Sequence, residues 1–158
     1  VFDLTENLRQ KYGYTNRFDL VTNHGTSEHC FDQLQVFQNI HNLCKPGGII
    51  IHVLPFYGYI NHVFYNYNPL FFEYLATANQ YQLIGMYLNP DPLDAGVYPY
   101  SDDLLTSLTN QTPLNATQIP NICVGLFVVL RKTVEAEFRK TYQVAGSTPQ
   151  KPISVVTL

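Results

Sequence analysis

Seven residues behind a short apolar run carry many of the side chains that could do chemistry: Asn23-His24-Gly25-Thr26-Ser27-Glu28-His29 follows Phe18-Asp19-Leu20-Val21-Thr22. All five histidines of the chain, His24, His29, His41, His52 and His62, fall between Val21 and Val63. An imidazole titrates near neutral pH and can take a proton from an attacking oxygen or nitrogen, so His29 and His62 are candidate general bases. A histidine that merely orients the chain or opens a helix would look the same. His41 reads as a helix-face residue, and His52, inside an apolar run, as a neutral hydrogen-bonded core group. Zinc sites are built from tight pairs such as HExxH or CxxC, and neither occurs, so no metal is expected. GxSxG and the P-loop are also missing, and Cys30 lacks the surroundings of a thiol nucleophile.

These side chains need elements to hold them. Phe18–Thr22 is β-prone, and Gly48–Leu54 is a continuous apolar run that fits a strand buried on both faces of a parallel sheet. Between them Cys30, Leu34, Phe37, Ile40 and Cys44 recur at three or four residues, with Lys45 in the last turn and Pro46-Gly47-Gly48 as a stop, which predicts a helix and hence a βαβ unit. Thr26 or Ser27 is a candidate cap for that helix, with Glu28 and Asp32 complementing its dipole. Asn68-Pro69 opens a second helical pattern with Leu70, Phe71, Tyr74, Leu75 and Ala78 on its apolar face, followed by a strand over Gln82–Leu88. After a polar, proline-bearing segment from Asn89 to Asn121, a strand is predicted over Ile122–Leu130 and a short charged helix over Val134–Tyr142.

Ligands of open α/β sheets bind beyond the carboxyl ends of the parallel strands. That rule selects Asp3, the Asn23–His29 loop and the Pro55–Asn68 segment. Asp3, with Glu6 three residues on, can equally open a helix through Lys11. Phe56–Tyr74 holds nine Phe or Tyr in nineteen residues. It reads as an aromatic wall over a substrate, with Tyr57, Tyr59, Asn61 and His62 as polar contacts, or as core Phe and interface Tyr, the latter pointing to a homo-oligomer.

Composition bounds the partners. With 158 residues, 46% hydrophobic and 13% charged, the chain is long enough for one globular domain, and a net charge of −3 without a Lys/Arg cluster argues against nucleic acid or an anionic membrane. Three unpaired-looking cysteines and no basic-then-apolar leader suit a cytoplasmic setting.

The run FDLVTNHGTSEH, then a helix, then LCKPGGIIIHVLP, resembles the fourth strand, following helix and fifth strand of class I S-adenosylmethionine-dependent methyltransferases, with KPGG before an apolar strand the more recognisable part. The resemblance covers roughly residues 1–133. It implies an α/β, Rossmann-like, mostly parallel sheet in which 18–22 and 49–54 are parallel neighbours and the last strand, 122–130, is antiparallel. One domain is expected over 1–144, and Gly146, Ser147, Pro149 and Pro152 mark 145–158 as a loosely ordered tail. The cofactor implied is S-adenosylmethionine, held by Asp3, Leu4, Asn23, Gly25, Thr26 and Glu28. The acceptor is a small molecule on the side of Pro55, Tyr57, Tyr59, Asn61 and His62. The family's glycine-rich loop has no counterpart, since no GxGxG occurs. By analogy that loop lies upstream of Val1, so the chain as numbered is expected to be an N-terminally truncated portion, without a complete cofactor pocket, inactive alone, and with apolar surface uncovered on the sheet. The alternatives are a nicotinamide-dependent Rossmann oxidoreductase and a non-catalytic methyltransferase-like subunit that binds a protein partner.

Overall fold

The computed structural model of the chain describes residues 2–91, 97–104, 106 and 123–143. The expected tail over 145–158, Ile122 and much of the polar segment before it lie outside the described residues.

A five-stranded sheet has the order β1-β2-β5-β3-β4. Strand β1 (Phe18–His24) pairs parallel with β2 (Cys44–Tyr57), and β5 (Cys123–Lys132) lies antiparallel between β2 and β3 (Tyr81–Asp91). The short β4 (Tyr98–Pro99) pairs antiparallel with β3. The parallel pair and the antiparallel last strand stand as expected. "Mostly parallel" describes only the common direction of β1, β2 and β3, because β5 is inserted between β2 and β3 and the ladders it makes are antiparallel.

Two helices cover one face. The crossover from β1 through α2 (Gln33–Leu43) to β2, and the next from β2 through α3 (Pro69–Asn79) to β3, both step the same way across the sheet. Right-handed crossovers in one direction put their helices on one side. Accordingly Phe37 of α2 and Phe72 of α3 both pack against His52, at ring separations of 5.5 and 5.0 Å. Ile50, His52 and Leu54 are therefore buried while Ile49, Ile51 and Val53 are half-buried, which corrects the reading of β2 as buried on both faces. Strand β1 is an edge with one neighbour, so Phe18 and Leu20 are exposed rather than core.

The KPGG turn is part of the strand. Helix α2 ends at Leu43 and β2 begins at once; Gly47 has φ +82°, and a Cβ on Gly48 would meet Cys44 Sγ at 2.8 Å and the Asp19 carbonyl at 3.0 Å. Both positions need glycine, and the pairing register shifts there, between Phe18 and Leu20. The last carbonyls of α2 are all answered from elsewhere. Asn16 N–H donates to Asn42 O at 2.7 Å, Arg17 N–H to Leu43 O at 2.9 Å, and the buried Lys132 Nζ to His41 O and Cys44 O, each at 2.9 Å. A cation at a helix C-terminus also faces the negative end of its dipole.

Other expectations shift. Asp32, not Thr26 or Ser27, caps α2, its carboxylate accepting from Gln35 N–H at 3.0 Å. Asn68 caps α3, and the buried face of α3 is Phe72, Leu75, Ala76 and Asn79, with Leu70, Phe71, Tyr74 and Ala78 only half-buried. The first helix is α1 (Leu8–Tyr12), capped by Asn7, so Asp3 starts no helix. Residues 134–142 are not helical. They run along the helix ends, with the Ala136 carbonyl accepting from His41 Nε2 at 2.7 Å and Asn79 holding both the N–H and the carbonyl of Arg139. Fixed backbone partners override the local preference of a charged run. Among the described residues, no helix is long and apolar enough to cross a membrane.

Candidate active site

The loop that leaves β1 is held by a buried polar network. Gly25 N–H donates to Val53 O at 3.1 Å, and the chain then folds back so that Asn23 Oδ1 accepts from Ser27 N–H at 3.1 Å. Asn23 Nδ2 donates to Ser27 Oγ at 2.8 Å and to His52 Nδ1 at 3.1 Å. Because Nδ1 must accept there, His52 is the neutral tautomer with its proton on Nε2. Complete burial pushes its pKa down to about 3. Ser27 Oγ also meets the Tyr67 hydroxyl at 2.9 Å, and Tyr67 donates to Gln33 Oε1 at 2.5 Å. Burial pushes the Tyr67 hydroxyl well above the usual phenol range, so it stays a donor.

A single 3-10 turn, Ser27–His29, sends adjacent side chains in opposite senses: Glu28 inward and His29 outward. Glu28 is 3% exposed, and its Oε2 is buried with no hydrogen-bond partner. Its Oε1 lies 4.0 Å from His29 Nε2. The backbone carbonyl of the same residue accepts from Phe64 N–H at 3.1 Å and Tyr65 N–H at 3.3 Å, which draws the loop after β2 over this turn. That loop brings His62 edge-on to His29 with ring centroids 5.5 Å apart, and Tyr59 to 6.3 Å from His62. The two loops therefore meet, and the two candidate bases are neighbours.

The other expected residues divide. Asp3 is exposed and accepts from Thr5 N–H and Oγ1 at 2.9 and 2.7 Å; the hydroxyl and then the backbone bond hold its carboxyl below the usual range. Burial pushes the Cys30 thiol up, and the charges of Asp3 and then Glu28 add to this. The Leu4 carbonyl accepts from Asn39 Nδ2 at 2.9 Å, and Thr26 Oγ1 donates to His24 O at 3.0 Å. Asn23 points inward, its amide committed to the loop. Pro55 is buried, its carbonyl taken by Tyr67 N–H at 2.8 Å, while Tyr57 is half-buried opposite Val124 and Asn61 is exposed. A cavity of about 300 Å³ opens beside α3 between Asn68, Phe71, Tyr74 and Tyr142, and none of the expected site residues lines it. No group of three or more His, Cys, Asp or Glu among the described residues could hold a metal ion.

Two features escaped the expectations. Ser27, Gln33 and Tyr67 join Asn23 and the expected core group His52 in the scaffold of the loop, across separations in sequence that no local pattern encodes. The second was open to view: no Lys or Arg occurs between Pro46 and Leu130, and Lys45 is the only one between Phe18 and Leu130.

Residues 7–52 match the family model described as a methyltransferase domain. Over that stretch the chain is similar to that family. The matched stretch runs from the cap of α1 through β1, the Asn23–His29 loop and α2 into β2, so it contains Asn23, Ser27, Glu28, Gln33 and His52 but not Tyr67, which closes the network from the loop after β2. No curated protein and no solved structure matches the chain.

Proposed function

We propose that this domain transfers a methyl group from S-adenosylmethionine to a small-molecule acceptor at the carboxyl edge of β1 and β2. One observation carries the reading: the family match encloses a strand-end loop in which a buried carboxyl oxygen, Glu28 Oε2, has no partner. An unpartnered buried acceptor costs stability and is retained where something else requires it. The cofactor presents a sulfonium, an ammonium and hydroxyl donors, and acceptors are what this edge offers. Asp3, Leu4, Gly25, Thr26 and Glu28 would hold it, with Asn23 keeping the loop in shape. When bound, that cofactor supplies a methyl group already activated on sulfur.

The chain's own residues would orient the acceptor and move one proton. The cofactor would give its methyl to the acceptor's oxygen or nitrogen and keep the pair of the broken carbon–sulfur bond on sulfur, so the chain has only to hold the two in line. The acceptor's proton goes to a ring nitrogen of His29 or His62, and Glu28 Oε1 faces the charge that would form on His29. Tyr57, Tyr59 and Asn61 belong to the acceptor side beyond Pro55, so Tyr57→Phe or His62→Ala raises the acceptor's apparent KM or lowers turnover while cofactor affinity holds. Calorimetric titration of the full-length protein with S-adenosylhomocysteine and with NAD tests the reading. Saturable binding of the first and none of the second supports it; binding of NAD alone favours an oxidoreductase.

A further inference from the structure

Resting on the methyl-transfer reading above, we infer that the acceptor is an uncharged molecule with an apolar, ring-sized body, seated among Phe31, Ile60 and Phe64 with its protic nucleophile at His29 and His62. Those three side chains are 82%, 58% and 72% exposed. Each lies two residues from one of the paired histidines. Their loops are tied together, since Phe64 N–H donates to Glu28 O at 3.1 Å and the Tyr65 hydroxyl to Phe31 O at 3.0 Å. A lone exposed apolar side chain is ordinary. Three on hydrogen-bonded loops around one imidazole pair, at the strand ends where ligands of such sheets sit, mark a binding surface.

Charge defines the rest of the occupant. A phosphate or carboxylate on the acceptor is held most strongly by charge-assisted bonds from Arg or Lys, and none occurs from Pro46 to Leu130. Lys45 stands at the opposite end of β2, paired to Asp19 at 2.9 Å. Arg131 and Lys132 end the antiparallel β5 at the level of Ile49 and Tyr81, again at the base of the parallel strands. An anionic acceptor would instead meet the carboxyl oxygens of Glu28, of which Oε1 lies 4.0 Å from His29 Nε2. An uncharged one loses nothing by their presence and buries its ring against Phe and Ile.

The test uses full-length protein labelled with ¹⁵N in its histidines, and two probes with the same ring and hydroxyl: p-cresol, and 4-hydroxybenzoate, in which the methyl is a carboxylate. The inference expects p-cresol to shift the His29 and His62 imidazole signals saturably, with a midpoint at least tenfold below that of 4-hydroxybenzoate. Phe31→Ala and Phe64→Ala each raise the p-cresol midpoint several-fold, and Ile60→Lys gives 4-hydroxybenzoate a response. An equal or stronger response to 4-hydroxybenzoate in the unaltered protein overturns it. So does a p-cresol response indifferent to both Phe substitutions, or no response to either probe. Titrating S-adenosylhomocysteine into the same samples separates the two proposals. Its binding without a p-cresol response sinks the acceptor class alone, whereas a p-cresol response without it leaves the subsite standing and removes the methyl-transfer reading.

Discussion

At the scale of single residues, Glu28 and His52 are buried polar groups with opposite consequences. Glu28 has an oxygen with nothing to bond, so its carboxyl works against the fold. Glu28→Gln is expected to leave the thermal midpoint unchanged or raise it while weakening S-adenosylhomocysteine binding about tenfold, some 1.4 kcal/mol. A stability loss with unaltered affinity would make Glu28 a structural residue. His52 has its acceptor satisfied by Asn23 and its charged form excluded by burial. The unfolded chain binds a proton near pH 6.5 that the folded chain refuses until about 3, so stability is full above 6.5 and falls with acidification across that window. The slope is about 1.4 kcal/mol per pH unit for this group. His41, held low by burial, adds in the same direction. Urea unfolding at pH 7.5 and pH 5 should show a loss of about 2 kcal/mol from His52 alone, reduced in His52→Gln; equal stabilities would contradict the buried neutral tautomer. His52 as a neutral core group was legible from its place in an apolar run. Its partner was not, because Asn23 lies on another strand.

At the scale of elements, local sequence signals located β1, α2, β2, α3, β3 and β5 but not their faces or ends, and the charged helix expected over Val134–Tyr142 does not form. Asn68-Pro69 announces α3 through cap and first-turn chemistry, yet burial is decided by which side meets the sheet, and Phe72 rather than Tyr74 does so. KPGG looks like a helix stop and works as an irregularity at the start of β2, because Gly48 is pressed between Cys44 and Asp19 of the neighbouring strand. The end of α2 depends on Lys132, a residue of β5 whose ammonium donates to His41 O, Cys44 O and Asn16 Oδ1. Lys132→Met keeps the packed stem and strips the donors, leaving three oxygens unanswered. The expected cost is about 2–4 kcal/mol in chemical denaturation, and a loss below 0.5 kcal/mol would show that water reaches those oxygens.

At the scale of the whole molecule, charge and topology divide the sheet into two ends. The bases of the parallel strands carry Arg17, Lys45, Arg131 and Lys132, and their carboxyl ends carry aromatic rings, imidazoles and the Glu28 carboxyl. The expectation of a site at those carboxyl ends comes from the βαβ pattern that the sequence displays, and the meeting of His29 with His62 follows from both loops leaving the same edge. The backbone bonds from Phe64 and Tyr65 to Glu28 that close the two loops together belong to the folded chain alone. The most direct test is amide chemical-shift mapping of S-adenosylhomocysteine on the full-length protein. The account predicts shifts concentrated at Asp3, Leu4 and Asn23–His29, diminished in Glu28→Ala, with the groove between α3 and Tyr142 unmoved. Shifts centred on that groove, with Asn23–His29 silent, would contradict it.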